Sequence, residues 1–324
     1  MSYSSYLHNI GYGHKNTKNQ GWNLTGFTEC LPYKIFRILR NAFIELFDNP
    51  IVINACTSFK RYGEIIPSNW GDDINYFFIK EIVKQKWLPY AEAPITRYFH
   101  KKNYVIIGSI IDMVMTHKSI VWGAGLITAN PRNIVRPLKI HAVRGPKTRD
   151  ILLKNGINCP AIYGDPALLL PFYYQPKDKS KKFKLGFIPH YSHINQFLTL
   201  YSHNPNICVI KVRNYYEWHS FIDQICQCEY IASTSLHGLI ISEAYGIPNV
   251  WLKMESGELS NTFKFEDFYA SINKTPDGLI FNSFLTLDEI INTCKKWKKG
   301  MLDLTPLIKA CPFKLKNELL NLRI

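Results

Sequence analysis

The chain has 324 residues, 46% of them hydrophobic and 14% aromatic, and carries a formal net charge of +14. That length exceeds what a single core usually holds, and no apolar run approaches the roughly 18 residues a membrane span needs. The charge favours partners that bear phosphate, carboxylate or anionic lipid.

Met1 to Asn23 is rich in Tyr, Asn, Gly and His and lacks the apolar segment of a secretion signal, so a cytoplasmic protein is expected. The eight cysteines follow no metal-ligand spacing and read as reduced thiols, so no metal is expected. At Asn69-Trp70-Gly71-Asp72-Asp73 a turn leads into Ile74, Phe77, Phe78, Ile82 and Val83 at helical spacing, with both carboxylates suited to a helix start. Strands are predicted over 104–107, 119–122 and 140–143, each ending at small or charged residues: Gly108-Ser109, Gly123-Ala124-Gly125 and Arg144-Gly145. Pro146 opens a helix that Gly156 closes, and a short strand over 161–163 ends at Gly164-Asp165-Pro166.

The polar stretch 173–182 reads as a linker, after which a second series begins. It comprises strands over 184–188, 207–212, 230–232 and 249–252, with helices over 217–226 and 236–245. The expected fold is α/β, two doubly wound Rossmann-like domains facing a cleft, at 1–175 and 183–284. Residues 285–324 are expected to be helical and to pack back on the N-terminal domain. This tail combines lysines at 295, 296, 298, 299, 309, 314 and 316 with apolar residues. It reads either as a helix packed on the body with its lysines in water or as a contact with anionic membrane lipid.

The chemistry gathers at predicted strand ends, where parallel α/β sheets collect ligands. Ser235-Leu236-His237-Gly238 opens a helix behind a strand, so free backbone N–H groups and the helix dipole offer an anion site beside an imidazole. Arg144 carries a fork suited to carboxylate or phosphate, with Asp150 and Asp165 as structural partners on the competing reading. His190 ends the 184–188 strand, Arg213 follows the 207–212 strand, and Lys264 precedes an acidic pair from which Asp267 could bind it.

In this order these segments resemble the polysaccharide pyruvyl transferase family over roughly 67–271. The resemblance implies a glycosyltransferase-B-like architecture and a phosphoenolpyruvate donor, without cofactor or metal. It implies transfer of pyruvate to two hydroxyls of a sugar in a bacterial capsule or exopolysaccharide, the acceptor being in some relatives a lipid-diphosphate-linked oligosaccharide. His237 and Arg144 are the implied catalytic residues, on the donor and acceptor side respectively. Ser235, Leu236, Gly238, His190, Lys264, Arg213, Asp72, Gly108, Ser109, Gly123 and Asp165 are the implied substrate contacts. Many members carry arginine where this chain has Ser235, with Arg213, Lys253 and Lys264 as candidate replacements, while exopolysaccharide-type members read Ser-Leu-His-Gly as here. The competing readings are a nucleotide-sugar glycosyltransferase, with Glu243 as the ribose contact, and a non-catalytic basic protein that binds nucleic acid or a membrane surface. No nucleic-acid module is recognised, and the expected location is the cytoplasm, at the inner face of the membrane if the tail engages lipid.

Overall fold

A computed structural model describes residues 31–59, 65–132, 134–254 and 262–316. The Met1 to Asn23 stretch and the tail residues from Asn317 onward lie outside the described residues. The first described element is helix α1, Leu31–Phe47, which the sequence reading did not predict. From Asn41 onward the described chain forms one compact unit.

That unit contains two parallel five-stranded sheets. The first is built from β1 (Ile51–Ile53), β2 (Trp87–Pro89), β3 (Asn103–Val105), β4 (Ser119–Trp122) and β5 (Lys139–Ala142), in the order 2-1-3-4-5. The second comprises β6 (Phe183–Ile188), β7 (Ile207–Val209), β8 (Cys228–Ser233), β9 (Asn249–Met254) and β10 (Gly278–Phe281), in the order 7-6-8-9-10. Counted from its own first strand, the second sheet repeats the order of the first, although the sequence carries no detectable internal repeat. In each sheet the winding reverses between its first and third strands, the place where such sheets bind ligands beyond their carboxyl ends.

The helices that matter for the site are α2 (Trp70–Ile82), α3 (Pro146–Lys154), α4 (Trp218–Cys226), α5 (Leu236–Ala244) and α6 (Phe263–Ser271). The predicted strand over 161–163 is reduced to one parallel bridge, Val143 to Tyr163. The predicted strand over 207–212 stops at Val209, after which the chain turns toward the first sheet.

Helix α7 (Leu287–Lys295) buries Ile290 and Cys294 against the second sheet. The chain then returns to the first: Trp122 Nε1 donates to Leu307 O at 2.9 Å, and the Phe313 ring lies 4.7 Å from that of Tyr104. The tail's apolar residues Leu307, Ile308 and Phe313 are thus buried, leaving its described lysines at the surface. No described helix is long and apolar enough to cross a membrane.

Candidate functional site

Helix α2 begins at Trp70 because the Asn69 side chain accepts from Gly71 N, and the carboxylates of Asp72 and Asp73 lie in its first turn. Asp73 is fully engaged, accepting from Ser68 N at 3.0 Å, Asn69 N at 3.2 Å and Tyr215 OH at 2.9 Å. Asp72 accepts from Asn69 Nδ2 at 2.6 Å, and burial together with the neighbouring Asp73 charge pushes its pKa up to about 7. Trp70 N donates to Val212 O at 2.8 Å and Arg213 Nε to Ser68 O at 2.9 Å, lacing the start of α2 to the loop after β7.

His237 occupies the first turn of α5, a helix buried from Leu236 to Glu243. Its ring lies against Gly71, where any Cβ would overlap the imidazole. Close approach is therefore what requires glycine at that position. Nε2 stands 3.9 Å from Asp165 Oδ2, and both atoms are buried without a hydrogen-bond partner among the described residues. Burial pushes Asp165 up to about 7 and His237 down to about 3, with the charges of Arg144 and Lys264 adding to the latter. At neutral pH the imidazole is neutral and the carboxyl stands near its titration midpoint, so the pair is able to pass one proton. Asp165 Oδ1 meanwhile accepts from Ala167 N at 2.9 Å and caps the turn Pro166–Phe172.

Arg144 takes a partner that the sequence reading did not name for it. Its guanidinium is fully buried and engaged, with Nε 3.0 Å and Nη2 2.9 Å from Asp267 Oδ2, Nη2 donating to Leu126 O at 2.7 Å, and Nη1 donating to Ser109 Oγ. The partner is Asp267, not Asp150 or Asp165, and Asp267 in turn does not pair with Lys264. Asp267 also accepts from Thr148 N at 2.8 Å and Thr148 Oγ1 at 2.7 Å, so α6 caps the start of α3 from outside. Gly125 and Gly145 are small because the Arg144 guanidinium and Asp267 lie against them. The arginine is a buried strut joining the two sheet systems, its Nε, Nη1 and Nη2 all engaged within the protein.

Lys264 brings a second cation to the site. It lies near both His237 and Asp72, and burial with the Arg144 charge lowers its pKa only to about 8, so it stays largely cationic at neutral pH. Among the described residues its one defined contact is the Phe265 ring, 5.4 Å away. Arg213 lies over the Tyr191 ring at 4.5 Å, and Lys253 over that of Trp251 at 4.7 Å. Of the three candidate replacements for an arginine at Ser235, Lys264 is the one whose charge acts on His237.

His190 N donates to Thr234 Oγ1 at 2.7 Å, and its Nδ1 meets Ser192 Oγ at 2.8 Å. Burial and the Lys264 charge push its pKa down to about 3. Ser235 makes no cap bond with its side chain, so it leaves the first N–H groups of α5 without that partner. Leu236 is core, and Gly238 lies against Ser233 and Ile188. Gly108 and Gly123 take φ values of 114° and 91°, which disfavour any side chain. Glu243 is not available to a ribose: it accepts from Lys274 Nζ at 2.6 Å, Trp297 Nε1 at 2.7 Å and Gly300 N at 3.0 Å. Sequence reading missed Thr148 and Tyr215, whose partners lie far away in the chain, and read Asp73 as a helix-start carboxylate without its bond to Tyr215.

Residues 31–256, well over half of the chain, match the family described as polysaccharide pyruvyl transferase. The chain belongs to that family. It is 26% identical over 224 residues to the succinoglycan biosynthesis protein ExoV of Rhizobium meliloti (strain 1021), a span covering 66% of this chain and 65% of ExoV. It is 25% identical over 206 residues to the uncharacterized protein L143 of Acanthamoeba polyphaga mimivirus, covering 62% of this chain and 69% of that one. The match to ExoV thus takes in just under two thirds of that relative's length. No solved structure matches the chain. Within the pyruvyl transferase match lie Asp72, Arg144, Asp165, His190 and His237; Lys264 and Asp267 follow it, and their place in the site rests on geometry.

Proposed function

We propose that this protein transfers the pyruvyl group of phosphoenolpyruvate to two hydroxyls of one sugar residue in a surface polysaccharide, forming a cyclic ketal and releasing phosphate. Membership of the pyruvyl transferase family supports the reaction class. The observation that carries the residue assignment is the unpartnered His237 Nε2 opposite Asp165 Oδ2, beside a lysine near both His237 and Asp72.

The chemistry follows from the substrate. Protonation of the enol methylene makes the adjacent carbon an oxocarbenium centre; one sugar hydroxyl adds there, and the second displaces phosphate. One proton is taken up at the methylene and two leave the hydroxyls, so one departs with phosphate. His237 carries the proton to the methylene, and Asp165 sits behind it as the group that restores or accepts it. Lys264 and the first N–H groups of α5 hold phosphate and carboxylate, placing fixed positive charge where negative charge concentrates. Asp72, held near its neutral point at about 7, can accept a hydroxyl proton. Arg144 keeps Ser109, Leu126 and α6 in register around this centre.

His237→Ala abolishes phosphoenolpyruvate-dependent phosphate release while the protein still melts cooperatively; appreciable residual turnover rules His237 out as proton carrier. The donor is tested by thermal unfolding. Phosphoenolpyruvate at ~100 times its dissociation constant adds about 2.7 kcal/mol of stability, and a shift produced only by a nucleotide sugar would replace this reading with glycosyl transfer.

A further inference from the structure

Exposed apolar side chains collect on one surface far from the cleft. On α1, Phe43, Leu46 and Phe47 are 59%, 63% and 70% exposed, and the rings of Phe43 and Phe47 lie 4.4 Å apart. The segment 92–99 runs alongside: Glu45 accepts from Ile95 N at 2.8 Å and Thr96 N at 2.7 Å, and Asn41 Nδ2 donates to Glu92 O at 2.9 Å. It brings up Tyr98 and Phe99, 78% and 64% exposed. Immediately beside Ile44 opens a groove of about 610 Å³, walled by Lys80, Lys84, Lys86 and Lys316 around Val83 and Trp87. Of these lysines, Lys86 is paired with an acid, Asp48 at 2.9 Å. Lys101 and Lys102 follow Phe99 and are exposed.

Aromatic and aliphatic side chains ringed by lysines match a bilayer interface, where rings enter the headgroup zone and cations meet anionic phosphates. A second copy of the chain is disfavoured as the occupant, because a two-fold contact through this patch sets the same lysines against one another. We propose that this surface docks the protein on an anionic lipid bilayer. From the C-terminal tail the docking face takes Lys316, while Leu307, Ile308 and Phe313 of that tail are buried. Helix α2 runs from the site at Trp70 to the lysine groove, 13 residues or about 20 Å, so docking holds the cleft clear of the lipid. The inference stands whether or not the proposed reaction is correct.

Sedimentation of the full chain with vesicles tests it. The protein pellets with phosphatidylcholine vesicles containing phosphatidylglycerol, stays in solution with phosphatidylcholine alone, and is released by salt. Phe43→Ser/Phe47→Ser and Lys80→Glu/Lys84→Glu each lower partitioning about tenfold or more with the melting temperature retained, while Lys298→Glu/Lys299→Glu partitions as the parent does. The proposal is overturned if the parent stays in the supernatant with both vesicle types, or if the Lys298/Lys299 variant loses as much as the patch variants. It is also overturned if light scattering shows a dimer that the Phe43/Phe47 variant dissolves, which would assign the patch to a second copy.

Discussion

The two sheets follow one strand order yet bring opposite chemistry to their carboxyl ends. The first contributes acids, Asp72 and Asp165, both raised to about 7; the second contributes His190 and His237, both lowered to about 3, and α6 adds Lys264. Topology explains why side chains from both meet, since each reversal of winding opens a crevice at the same relative place. It does not explain what they are. The difference teaches that the acid and the imidazole of the pair come from different sheets, so that whatever holds the sheets in register sets their separation.

Breaking that register has the largest expected effect. Arg144→Ala leaves Asp267 buried with no cation, and removing one member of a buried pair typically destabilises by about 3–5 kcal/mol. The expected result is a large fall in urea midpoint, with loss of donor binding following from the loss of structure. A variant that melts like the parent but binds phosphoenolpyruvate weakly would return Arg144 to the role of direct anion ligand.

This residue also marks where the sequence stops being legible. The order of elements from 104 to 252 could be read because apolar runs end at glycine, proline or charged residues. Strands β1, β2 and β10, three or four residues long, give no period to detect. Small residues at strand ends pointed to the cleft, but partnership did not follow: Arg144 and Asp267 are 123 positions apart, and Tyr215 and Asp73 are 142. Asp150 and Asp165 were nearer in sequence to Arg144 and fitted it equally well on chemistry. The helical α5 is buried on every side, so its place at the heart of the site left no amphipathic stripe, and only the Leu-His-Gly residues themselves announced it.

A smaller effect is expected when the cation is removed and the strut kept. Lys264→Gln loses a charge-assisted contact to phosphate or carboxylate worth about 1.5–3 kcal/mol, roughly a 10–100-fold rise in KM for phosphoenolpyruvate. The melting temperature should change little, because among the described residues Lys264 has no carboxylate at salt-bridge distance. An unchanged KM would mean that the α5 amides alone hold the donor.

The comparison between acids and histidines is sharpened most finely by pH. Asp165 rises from an ordinary value of 3.8 to about 7, so between these values the folded chain holds the extra proton and stability falls as pH rises. His237 drops from 6.5 to about 3, so across that interval the unfolded chain binds the extra proton and stability rises with pH. Between about pH 4 and 6.5 the two contributions oppose each other, each on the order of 1.4 kcal/mol per pH unit. Asp165→Asn removes the falling one, and its stability relative to the parent should climb from pH 4 toward pH 7. His237→Gln removes the rising one, and its relative stability should decline from pH 4 to 6.5. Urea midpoints across this range, with Asp72 and His190 present in both variants, separate the two slopes. Two variants whose difference curves run parallel would show that burial does not hold the acid and the imidazole in their neutral forms, and the shared-proton account of the site would fall with them.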